Sequence, residues 1–83
     1  MFKNKNADGA LNLCGIKVKE LRKGKNLSQR ALADQMQLRD MDLNKNAIQQ
    51  IESGQRFVTD IELKAFAHFF DITTDELIGN HIL

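Results

Sequence analysis

The chain has 83 residues, room for one domain with a modest core. It is 42% hydrophobic and 28% charged, without proline or tryptophan; this excludes fibrous and low-complexity classes and suits an all-helical globular protein. No apolar run approaches the ~18 residues of a membrane span. The segment Met1–Asn12 lacks the apolar stretch of a secretory signal, and the single cysteine, Cys14, allows no intrachain disulfide. A cytoplasmic setting is expected. The net charge of +1 conceals a split: residues 1–56 hold eleven Lys/Arg against six Asp/Glu, and residues 57–83 one against five. The positive charge is densest at Lys17, Lys19, Arg22, Lys23, Lys25 and Arg30. A one-sided field attracts a phosphate backbone; a solvated basic helix face accounts for the charges equally well.

Residues 1–8 read as a flexible tail and residues 80–83 as a second one, around a single domain over residues 9–79. The spacing of Leu11, Cys14, Val18 and Leu21 predicts a first helix from Gly9 to Lys23, with Asp8 and Gly24 as its caps. Ser28 caps a second helix running to Met36, with Leu32, Ala33 and Met36 inward. Residues 37–43 form a connection in which Leu38 and Leu43 are expected to plug the core. Asn44 caps a third helix that stops at Gly54, where a positive φ is free of steric cost. Thr59 with Glu62 and Thr73 with Glu76 are capping boxes for a fourth helix ending at Phe70 and a short fifth.

The third helix carries the most information. At 100° per residue, Ala47, Ile48 and Ile51 share one narrow face, opposite Lys45, Asn46, Gln49, Gln50 and Ser53. That outer face is rich in amides and nearly free of charge, whereas a merely solvated helix usually shows Glu and Lys there. Amide side chains donate and accept together, so they can read adenine N6/N7 in a major groove, and lysine can reach guanine O6/N7. A polar face with no partner is the other reading.

In order along the chain stand Leu21-Arg22, Leu27-Ser28-Gln29-Arg30-Ala31-Leu32-Ala33, Ala47-Ile48-Gln49-Gln50-Ile51-Glu52-Ser53-Gly54, Leu63-Lys64-Ala65-Phe66-Ala67, Ile72-Thr73 and Glu76-Leu77-Ile78. This set, spanning residues 12–79, resembles the lambda-repressor-like, Cro-type helix-turn-helix domains of the XRE family. The resemblance implies an all-α, five-helix DNA-binding domain whose second and third helices form the helix-turn-helix. It implies a transcriptional regulator, a repressor by preference, acting on double-stranded DNA. Lys45, Asn46, Gln49 and Gln50 would read bases. Gln29 would meet a phosphate at the start of the second helix, with Asn44 and Arg56 as further phosphate contacts. The family also pairs the positions of Arg22 and Glu52 in a semi-buried salt bridge; two independent surface charges are the other reading. The chain departs from the pattern in its lengthened turn. Seven residues separate Met36 from Asn44, against about two or three in the family, which puts the tilt of the third helix in question. Arg39, in that turn, is a further candidate phosphate contact.

The fourth helix shows two apolar stripes: Leu63, Phe66, Ala67 and Phe70, then Ile61, Ala65 and Phe69 about 150° away. The second stripe, with Ile78, Ile82 and Leu83, is a candidate homodimer surface; packing against the chain's own C-terminal segment is its alternative. No enzyme reading is supported, and no cofactor or metal is expected: Cys14 lies on an apolar stripe, and His68 and His81 lack partners at metal-ligand spacing. The competing function is a protein-interaction module, an antitoxin or anti-regulator that holds a protein partner through the fourth helix and the C-terminus.

Overall fold

In a computed structural model, which describes residues 9–79, five helices follow one another: α1 (Gly15–Gly24), α2 (Gln29–Gln37), α3 (Lys45–Glu52), α4 (Asp60–Phe70) and α5 (Thr74–Leu77). No strand occurs among the described residues. The expected tails, 1–8 and 80–83, with Asp8, His81, Ile82 and Leu83, lie outside them. The side chains of Ser28 and Asn44 accept the amides of Ala31 and Ala47 at 3.0 and 2.8 Å. Both capping boxes form, Thr59 with Glu62 and Thr73 with Glu76. Each cap gives a partner to an amide that the helix itself leaves unbonded, which fixes where the chain turns helical.

The first helix starts six residues later than its apolar spacing predicts. Asn12 is the reason. Its Oδ1 accepts the Gly15 amide at 2.8 Å. Its Nδ2 donates to the carbonyls of Ile51 and Arg56 at 3.0 and 2.8 Å. The Leu11 amide donates to Gly54 O at 2.8 Å. Residues 11–14 are thereby drawn across the C-terminal end of α3 instead of coiling. Leu11 is half-buried ahead of the helix, and Cys14 is buried as the residue that caps its start. Gly15 permits the approach, since a Cβ there would collide with the Ile51 carbonyl.

The core comprises Cys14, Val18, Leu32, Ala33, Met36, Leu43, Ile48, Ile51, Phe66, Ala67, Phe70 and Leu77. It draws on every helix, with α3 packed on α1 and α2 and α5 against α4. In the long turn, Leu43 is fully buried and Met41 packs against the core, but Leu38 is 76% exposed. Leu38 keeps helical backbone angles as the C-cap of α2. It lies two residues beyond the inward-facing Met36, which turns it about 200° round the helix and away from the core. The chain then reverses at Asp40, whose φ is 62°, so of the two leucines expected to plug the core Leu43 does and Leu38 does not.

Candidate nucleic-acid interface

Helix α3 divides sharply. Ile48 and Ile51 are fully buried, whereas Lys45, Asn46, Gln49 and Gln50 are all exposed. Among the described residues, none of those four side chains makes a hydrogen bond or an ion pair. Of these, Lys45 borders a cleft between α2 and α3 that is lined also by Arg30, Ala33, Asp34, Gln37 and Asn44. The first turns of α2 and α3 contain no acidic residue, whereas those of α4 and α5 hold Asp60 and Glu62, and Asp75 and Glu76. The positive ends of the α4 and α5 dipoles are thus offset by carboxylates of their own, and those of α2 and α3 are not.

The C-terminal end of α3 is fixed by charge. Glu52 accepts from Arg22 Nε at 2.6 Å and from Nη2 at 3.1 Å, a two-point contact between side chains only 10% and 3% exposed. Arg22 Nη1 also donates to the Leu27 carbonyl at 2.7 Å, so the guanidinium joins α1, the α1–α2 corner and α3. Gln29 adds its amide nitrogen to Glu52 Oε1 at 3.1 Å. A carboxylate accepts only, so it holds the Gln29 NH2 group, not its carbonyl, toward α3. Burial of this kind is tolerated because every donor and acceptor is matched; no buried side-chain polar atom among the described residues lacks a partner.

The residues expected to hold phosphates are placed differently from one another. Asn44 is exposed, with its side-chain oxygen engaged as the α3 cap. Arg56 is half-buried and bonds Glu62 at 3.3 Å. The guanidinium of Arg39 sits 4.8 Å from the centre of the Phe69 ring and donates to the Gln35 carbonyl at 3.2 Å. Arg39 is therefore half-buried and already engaged by the protein. Phe69 is half-buried: Lys25 Nζ lies 5.7 Å from its ring centre, and it meets Phe70 edge-on at 5.0 Å. Ala65 and Ile78 pack against the core of their own chain. Of the described residues in that stripe only Ile61 is open, at 64% exposure.

Sequence reasoning missed Asn12 and counted Arg30 only toward the general positive charge. Asn12 was hidden because the apolar spacing runs straight through it. Arg30, directly after Gln29 in the first turn of α2, could have been found from that position alone. Cys14 is 1% exposed, and its burial pushes the thiol up to about 11, which makes it a poor nucleophile. No group of three or more His, Cys, Asp or Glu among the described residues could hold a metal ion, and no helix there is long and apolar enough to cross a membrane.

Residues 15–80 match the protein family described as a helix-turn-helix domain. The chain belongs to that family. Its helix-turn-helix is formed by α2, the lengthened turn and α3, and family membership makes it a DNA-binding module of the transcription-factor type rather than an enzyme. The helix-turn-helix chain is also 37% identical, over 67 residues, to the HTH-type transcriptional activator BcrR of Enterococcus faecalis. That match takes in 81% of the chain but 30% of the relative. No solved structure matches the chain.

Proposed function

We propose that the chain binds duplex DNA sequence-specifically in the cytoplasm as a transcriptional regulator, with α3 in the major groove. The observation that carries this reading is the set of four side chains, Lys45, Asn46, Gln49 and Gln50. They are exposed and unbonded on a helix whose other face is fully buried. Polar side chains held out by a rigid helix are what base-edge recognition needs. The uncompensated N-terminal dipoles of α2 and α3 add a favourable field for phosphates. Arg30, Gln29, Asn44 and Arg56 would position the duplex, and the four α3 side chains would choose its sequence.

Regulation by repression follows if the bound site overlaps a promoter. The name of the Enterococcus relative makes activation the competing outcome, and a reporter fused to a bound promoter separates the two. A mobility-shift titration at two salt concentrations, against duplexes selected from a random pool, tests the binding itself. Gln50→Ala should relax discrimination at one base position by roughly 1–3 kcal/mol. Equal affinity of wild type and variant for every duplex would remove α3 from the base-reading role.

One observation favours a second reading. Ile61 opens onto a shallow groove shared with Met41 and Ala65 and rimmed by Arg39, Lys64 and His68. A second copy of the chain, binding a second half-site, or a different protein partner would cover it. Sedimentation that shows only monomer at high micromolar concentration rejects the homodimer. Binding that survives loss of the polar α3 side chains would favour the interaction module.

A further inference from the structure

The lengthened turn is tied down at both of its ends. After α2, the Met36 carbonyl accepts the amides of Arg39 and Met41 at 2.9 and 3.0 Å, and the Asp40 amide reaches Gln37 O at 3.1 Å. Ahead of α3, Gln37 Nε2 holds the Leu43 carbonyl at 3.1 Å, and Leu43 is sealed in the core. The next residue is Asn44, the cap of α3. Between these ends, Met41 packs against the core, and Arg39 is the side chain that ties the turn to the Phe69 ring of α4 through its charge. It also bonds back to α2 at Gln35. Lys25, from the α1–α2 corner, comes to the same ring. A cation over an aromatic face is directional and worth more than its apolar contact alone.

We infer that the Arg39–Phe69 contact sets the pose in which α3 is presented to DNA, so that both are positioning residues for base discrimination. This rests on the DNA-binding reading above. The contact fixes the turn relative to α4, the turn fixes Leu43 and Asn44, and those fix the first turn of α3, where Lys45 and Asn46 stand. Base readout depends steeply on such placement, because a side chain offset by an ångström loses its paired hydrogen bonds. Phosphate contacts tolerate more displacement, since they act largely through charge.

The alternatives give different signatures. Were Arg39 a phosphate contact, removing its charge would weaken binding to all sequences and lower the slope of log affinity against log salt by about one. A positioning residue leaves the slope alone and lowers the preference for the selected duplex over random duplex.

The experiment compares wild type, Arg39→Gln, Phe69→Leu and the double variant on a selected and a random duplex over a range of salt. Phe69→Leu retains apolar bulk and carries no charge to lose. Each single variant should lower the specific-to-random ratio roughly three- to tenfold, the scale of one such contact. The salt slope should not change, and the double variant should be no worse than either single one. A reduced slope in Arg39→Gln, or a Phe69→Leu variant that discriminates as well as wild type, would overturn the inference. Wild type that bound no duplex would reject the DNA-binding reading itself. In either case amide hydrogen exchange in the free protein is a separate readout. The clamp requires faster exchange at Met41 and Leu43 in both variants, and unchanged exchange would reject it.

Discussion

The two ends of α3 are held in opposite ways. At its C-terminal end, Glu52 is buried against Arg22 and Gln29, and the carbonyl of Ile51 accepts a bond from Asn12. At its N-terminal end, Asn44 is exposed, and the chain arrives through a seven-residue link in which Leu43 and Met41 pack into the core and Arg39 reaches across to the Phe69 ring. The first end is dry, charged and cross-linked to two other helices. The second is wet and steered by a cation over a ring. The contrast separates two tasks: the C-terminal end contributes most to stability, and the N-terminal end controls where the polar face of α3 is aimed.

The largest effect should come from Glu52→Gln. It leaves the buried Arg22 without its counter-charge, at a cost of about 3–5 kcal/mol. For a domain of this size that lowers the melting temperature by on the order of 15–30 °C, measurable by circular dichroism. An unchanged melting temperature would mean that the pair is not what fixes this end.

A second effect depends on pH. Folding raises the Cys14 thiol from 9.0 to about 11, so the folded chain favours the protonated form. The thiol's contribution is constant well below pH 9. Stability should then fall by up to about 2–3 kcal/mol as pH rises toward 11, because only the unfolded chain ionises in that window. Urea titrations at pH 8 and pH 11, with Cys14→Ala as the reference, isolate this contribution. The variant should lack it whatever its starting stability.

Gly15→Ala probes the same end sterically. Its new Cβ must push α1 away from the Ile51 carbonyl, which should cost about 1–3 kcal/mol. At the other end, Asn44→Ala removes a single exposed cap and should cost only ~1 kcal/mol. If Asn44→Ala proved as damaging as Glu52→Gln, the division of labour between the two ends would collapse.

Much of this was legible in the residues. The caps at Ser28, Asn44, Thr59 and Thr73 are local chemistry, and each fixes a helix start within a few residues of itself. The two faces of α3 follow from its period. What could not be read was anything dependent on distant partners. The start of α1 was displaced because Asn12 bonds to residues 39 and 44 positions away, and the pattern of Leu11 and Cys14 is the same whether or not that segment coils. Leu38 is apolar yet exposed, because the geometry of the turn, not hydrophobicity, decided which leucine goes in. Arg39 and Phe69 looked like two unrelated surface features. Their contact exists only once the long turn has folded back on α4.

The four polar tips of α3 have one more consequence. No bond inside the described molecule leans on them, so the scaffold does not depend on their identity. A substitution there alters the surface while leaving caps, core and charge pair untouched. On the proposed base-reading role, the sequence preference can therefore drift, or be rewritten by an engineer, one letter at a time on an unchanging frame.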